Sequence, residues 1–118
     1  MYSSPNLTEN TISAFARLII QLREFIQDQD FRLGNYVMKN DGSPVGDLDL
    51  AIENFIMQEL PILLPGFQLI GEESKFPTEW NGNYVVVDPI DGTENYVSGI
   101  PIWGTGIALF VDNQLAAS

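Results

Sequence analysis

The feature that most constrains this chain is the run Tyr84-Val85-Val86-Val87-Asp88-Pro89-Ile90-Asp91-Gly92-Thr93. Its first four residues are β-branched or aromatic and follow one another without a polar break. A strand apolar on both faces belongs in the middle of a sheet. The pattern therefore predicts a central strand over residues 84–87. Pro89 is expected to stop it and biases Asp88 toward an extended backbone. Two carboxylates, a glycine and a hydroxyl then follow within six residues. A second acidic pair, in Gly71-Glu72-Glu73-Ser74, closes another strand candidate, Phe67-Gln68-Leu69-Ile70.

The rest of the chain supplies scaffold. Residues 7–28 carry Ile12, Phe15, Leu18, Ile19, Leu22, Phe25 and Ile26 at helical spacing, which predicts an amphipathic helix. Asn6 with Glu9 three residues later resembles a capping box. A short strand is expected at 36–39, then a turn over Asn40-Asp41-Gly42-Ser43-Pro44. A second helix is expected over 47–60, burying Leu48, Ala51, Ile52, Phe55 and Ile56, with Pro61 and Pro65 ending it. Asn81-Gly82 marks a turn. Residues 104–111 read as a strand, Asp112-Asn113-Gln114 as a hairpin turn, and Leu115-Ala116-Ala117 as the start of a return strand. The fold class is α+β: two helices packed on an antiparallel-rich sheet.

The chain has 118 residues, enough for one small domain with a core, and 45% of them are apolar. It contains no histidine and no cysteine. Ser-His and Cys-His nucleophile pairs are thereby excluded within it, as are zinc sites built on imidazole or thiolate. Any chemistry falls to carboxylates, hydroxyls, backbone groups and hard cations, and oxygen ligands select magnesium, calcium or manganese. Sixteen acidic residues against five basic ones give a formal charge of −11, and no basic residue follows Lys75. That is not the footprint of a nucleic-acid binder. It would repel a phosphorylated substrate unless a bound cation reversed the local sign. The apolar runs are too short for a membrane span. Residues 1–6 have neither a basic nor an apolar signal region. With no cysteine for disulfides, the expected location is the cytoplasm.

Asp88 and Asp91 lie three apart, so a tight turn can aim both at one ion while a carbonyl between them also coordinates. Gly92 removes the Cβ where the backbone must turn or approach a ligand. Thr93 opens a helical turn whose free N–H groups suit a phosphate, and Glu72, from a neighbouring strand end, completes an oxygen shell. Two hard cations roughly 3.5–4 Å apart would orient a water and stabilise the leaving oxygen. The plainer alternative is a strand end followed by an ordinary Asp-Gly turn; the acidic pair at Glu72-Glu73 favours a site.

Gly71-Glu72-Glu73-Ser74 followed by Asp88-Pro89-Ile90-Asp91-Gly92-Thr93-Glu94-Asn95-Tyr96 resembles the paired signature of the inositol monophosphatase family, which belongs to a wider group of metal-dependent, lithium-sensitive phosphatases. Residues 39–53, with Ser43-Pro44-Val45 and Asp49, are similar to an upstream motif of the family. The resemblance implies the first layers of an αβαβα sugar-phosphatase fold and a lithium-inhibitable Mg2+ enzyme. It implies Glu72, Asp88, the Ile90 carbonyl and Asp91 as metal ligands, with Glu73 as a supporting acid behind them. Asp49 and Thr93 would be the dyad that orients the attacking water, and Gly92 and Thr93 the holders of the substrate phosphate. By its residue type alone, Asp49 also reads as a first-turn acid facing the helix dipole. Where the family usually has Thr after Ser-Pro-Val, this chain has Gly46, an acceptable helix cap. Family members also carry a metal-binding aspartate in a Trp-Asp motif in their C-terminal half; here the tryptophans lead Trp80-Asn81 and Trp103-Gly104. Residues 1–118 are therefore expected to be the N-terminal, metal-site portion of a single inositol-monophosphatase-like domain.

The implied reaction is magnesium-dependent hydrolysis of a small phosphate monoester, inositol monophosphate first. A 3′-phosphoadenosine-type nucleotide or a sugar bisphosphate is the alternative within the group, and a homodimer is the implied assembly. For these 118 residues alone, a non-catalytic metal-binding module is the competing expectation. Ile90-Asp91-Gly92-Thr93 also resembles the Asp-x-Asp-Gly-Thr motif of haloacid-dehalogenase-like phosphatases. That chemistry needs two aspartates separated by one residue, and here Pro89 and Ile90 intervene.

Overall fold

The apolar stripe near the N-terminus forms helix α1, Glu9–Asp28, in a computed structural model that describes residues 9–28, 36–38, 44–72, 79–100 and 102–118, with backbone alone at 36–38 and 44–47. The cap expected at Asn6 lies outside the described residues. Phe15, Leu18 and Leu22 are the buried positions of α1, and Ile19, Phe25 and Ile26 pack partly against the same core. Ile12, at the edge of the stripe, is 38% exposed. Strand β1 (Tyr36–Met38) pairs antiparallel with β2 (Pro44–Gly46). Pro44, expected inside a turn, instead opens β2, opposite Met38.

Helix α2, Asp47–Leu63, follows β2 directly. Its buried residues Leu48, Ile52, Ile56 and Leu60 form an unbroken i+4 row, extended by Leu64 beyond its end. Such a row lies along one face of a helix. Phe55 stacks on Phe25 of α1 with ring centroids 4.5 Å apart. Pro61, expected to end α2, lies inside its last turn. Leu64 N–H donates to Leu60 O at 2.8 Å across it. The carbonyl that Pro61 cannot bond belongs to Met57, on the solvent side of the helix with 51% of its surface exposed. Pro65-Gly66 makes the actual stop: Gly66 takes φ 85° and Phe67 N–H returns to Leu64 O.

Four strands, in the order β3-β4-β5-β6, form the main sheet. They are β3 (Gln68–Gly71), β4 (Tyr84–Asp91), β5 (Gly104–Val111) and β6 (Gln114–Ala117). The β3–β4 pair is parallel and the other two are antiparallel. Strand β4 is central, as its composition requires. A one-turn helix α3, Thr93–Val97, follows it. The fold is thus α+β with an antiparallel-rich sheet, and the described residues form three helices, the two expected ones and the single turn of α3. Asp112 and Asn113 both have positive φ, the two-residue turn that matches strand twist, so Gln114 belongs to β6 and not to the turn. Val85, Val87, Ile90, Leu109 and Val111 form the sheet's side of the core. Among the described residues, no helix is long and apolar enough to cross a membrane.

Candidate active site

Strand β4 runs past Pro89 to Asp91 instead of stopping before it. Proline has no N–H to give a ladder, and a bulge is one of the few places in a sheet that tolerates it. The register shows one: Asp88 faces Gly106 and Asp91 faces Gly104, so Pro89 and Ile90 together stand opposite Thr105 alone. Up to Asp88 the strand alternates, with Val85 and Val87 buried and Tyr84 and Val86 half-exposed. At the bulge Pro89 and Ile90 are both buried, while Asp88 and Asp91 are both exposed. Without the extra residue, a period of two would send Asp91 to the core side with Val85 and Val87. The bulge turns both carboxylates to one face.

That face continues across the sheet. In β3 the residues in step with Tyr84 and Val86 are Gln68 and Ile70. The next in that alternation is Glu72, exposed just past the strand end, where continuing the β3–β4 register sets it level with Asp88. In β5 the same face presents Gly104, Gly106 and Ala108, a floor of small residues. An ideal Cβ at Gly106 would lie 3.8 Å from that of Asp88, so glycine leaves open space beside the acid. Glu72, Asp88 and Asp91 therefore share one end of one face. Their side chains are not drawn into a closed trio: among the described residues, no three acidic groups are gathered to hold an ion. The donor set is all carboxylate and carbonyl oxygen, which fits a hard divalent cation. Glu73 lies outside the described residues.

Gly92 caps α3 at φ 88°, ψ 38°. A Cβ there would lie 3.1 Å from the Ile102 carbonyl oxygen. Left-handed backbone and this close approach both require glycine. Asn95 Nδ2 donates to that same carbonyl at 2.8 Å, and Tyr96, 1% exposed, sets its ring edge-on to Trp103. The loop is thus anchored on the strand that returns beneath it. Thr93 Oγ1 donates to Ile90 O at 2.8 Å. Its one proton goes to that carbonyl. A carbonyl has two lone pairs, so Ile90 O can accept from Thr93 and still face a cation.

Asp49 is 2% exposed, in the first turn of α2, and Glu53, one turn later, is 3% exposed. An acid that served only the helix dipole would stand in solvent. Strand β2, which leads directly into this turn, contacts α3, the helix that Thr93 opens. Glu53 was passed over in the sequence, although its i+4 spacing from Asp49 was the available signal. Gly104, Thr105 and Gly106 were passed over too; the small-hydroxyl-small alternation opposite the acidic loop was their trace.

The sequence matches the inositol monophosphatase family over residues 8–118. A histidinol-phosphatase of Mycobacterium tuberculosis is 45% identical over 74 residues, covering 63% of this chain and 28% of that protein. An inositol-1-monophosphatase of Mesorhizobium japonicum is 32% identical over 96 residues, covering 80% of this chain and 35% of that protein. A crystal structure of an IMPase/NADP phosphatase complexed with NADP and Ca2+ superposes with a TM-score of 0.71 at 25% identity, over 92% of this chain and 41% of that one. The chain spans about a third of the length of these curated relatives. The match includes the bulge, both of its aspartates and nearly every described element, and the chain belongs to the inositol monophosphatase family.

Proposed function

We propose that this chain carries the cation- and phosphate-handling part of a magnesium-dependent phosphomonoesterase, with inositol monophosphate as the first substrate. The observation that supports it most is the bulge that brings Asp88 and Asp91 to one face beside Glu72. In this reading, Glu72, Asp88, Asp91 and the Ile90 carbonyl hold Mg2+, and Glu73 supports them from behind. Bound there, the cation supplies a Lewis acid for the phosphoryl oxygens. Thr93 donates its proton to Ile90 O, which leaves the hydroxyl oxygen's lone pairs to accept a hydrogen bond from the attacking water and orient it. Asp49 completes that dyad from the first turn of α2. The N–H groups of Gly92 and Thr93 take the substrate phosphate, and the left-handed backbone at Gly92 sets their direction.

A second substrate reading has specific support. The identity to histidinol-phosphatase is 45%, against 32% to inositol-1-monophosphatase. A chain of charge −11 also attracts the amine of an amino-alcohol phosphate more than it does an uncharged polyol. A nucleotide phosphate is the third candidate. In a full-length protein that carries these residues, phosphate release from inositol monophosphate, histidinol phosphate and 3′-phosphoadenosine 5′-phosphate, with and without Mg2+, ranks them by kcat/KM. No magnesium-dependent release from any of the three would overturn the phosphatase reading.

A further inference from the structure

The bulge in β4 needs something to hold it, because a one-residue insertion breaks the ladder and leaves a group without its usual cross-strand partner. Thr105 is the single residue opposite Pro89 and Ile90. Its Oγ1 donates to Pro89 O at 2.7 Å. We propose that Thr105 is a positioning residue for the carboxylate loop: its hydroxyl locks the bulge that presents Asp88 and Asp91 on one face, and thereby sets the affinity for a divalent cation. The affinity half of this inference rests on the proposed function; the lock itself does not.

Packing alone does not explain a hydroxyl at this place. Thr105 lines a cavity of about 340 Å³ between α1 and β5, whose mostly apolar wall includes Leu22, Ile26, Trp103 and Ile107. Valine has the same shape and would suit that wall better. The hydroxyl's use is the Pro89 carbonyl. Residues 89–92 form a relay of such ties: Thr105 holds the carbonyl of Pro89, Thr93 that of Ile90, and Tyr96 N–H that of Gly92. Thr105 is the member that reaches the loop from another strand. Loss of this tie frees the peptide between the two aspartates to rotate, and their common direction is lost with it.

The test compares Thr105→Val, which keeps the shape, with Thr105→Ser, which keeps the hydroxyl. Mn2+ uptake by this chain is followed by electron paramagnetic resonance, with Mg2+ as competitor. Amide hydrogen exchange at Ile90, Asp91 and Gly92 is read without metal. The valine variant should bind Mn2+ about tenfold or more weakly, the scale for losing a group that orients ligands, and exchange faster at these amides. The serine variant should bind within about threefold of wild type. Equal binding by wild type and valine variant overturns the inference, as does a loss in the serine variant as large as in the valine variant. If circular dichroism shows the valine variant unfolded, Thr105→Ala in its place is read by the same criteria. A wild-type chain that takes up no Mn2+ sinks the metal reading instead; exchange then decides the lock, and rates unchanged by valine overturn it.

Discussion

Gly92 joins two demands at one backbone position. Its φ of 88° lies where L side chains are strained, and the space its Cβ would need is held by the Ile102 carbonyl. Gly92→Ala should therefore destabilise the chain by roughly 1–3 kcal/mol. Gly104→Ala, with no atom near its Cβ position and no positive φ, should change stability by less than about 1 kcal/mol. Urea unfolding of both variants checks the contrast, and equal effects would remove the special role of Gly92. At the neighbouring acids the expectation concerns chemistry. In a full-length protein that carries these residues, Asp88→Asn and Asp91→Asn should each abolish magnesium-dependent phosphate release, because an amide keeps the shape but loses the charge. Near wild-type rates in both would sink the assignment. Asp88, Asp91, Gly92 and Thr93 were legible in the sequence because side-chain type and short spacing carry their meaning. Thr105 was not, because its role exists only through a register between strands sixteen residues apart in the chain.

At the scale of elements, two of the misreadings concern a proline taken as a stop. Pro89 was read as a strand stop and Pro61 as a helix stop, since each lacks an N–H. Each sits instead where the missing donor is tolerated, one at a bulge and one in a last helical turn with its orphaned carbonyl on the solvent side. A local rule gives the cost of a residue but not whether the surroundings absorb it. The α2 row was legible by contrast, because an i+4 repeat needs no tertiary information. Ile52→Ala should cost roughly 2–5 kcal/mol, since Ile52 is fully buried in that row. Ile62→Ala, 73% exposed on the same helix, should stay within about 0.5 kcal/mol; thermal and urea melts distinguish them. The turn into α3 sets a further test. In the full-length protein, Thr93→Ala should lower kcat by about a hundredfold, on the scale of lost proton-transfer assistance, with a smaller loss of Mn2+ affinity. The reverse, weak metal binding with the rate preserved at saturating metal, would make Thr93 a holder of the Ile90 carbonyl and nothing more.

The whole molecule has two unlike sheet faces. One is closed by the helices over Val85, Val87 and Leu109. Leu109 is fully buried there. The other face carries acids at one end and aromatics at the other, where Tyr84 stacks on Phe110 and Trp80 stands edge-on to Tyr84, half its surface exposed. On β6, Leu115 is 62% exposed. A surface of this kind favours association. The 118 residues should accordingly show concentration-dependent self-association, read by light scattering on a sizing column. The acidic end should take up one Mg2+ weakly, because its carboxylates share a face without forming a closed trio. Turnover should be absent from this chain alone: a two-cation clamp on attacking and leaving oxygens needs more carboxylates than Glu72, Asp88 and Asp91 supply. Calorimetry with Mg2+ and phosphate release from inositol monophosphate decide both points. A monomer of these 118 residues that hydrolyses the ester at rates ordinary for enzymes would show that one acidic end of one sheet face suffices, and the two-cation argument would then have to be abandoned.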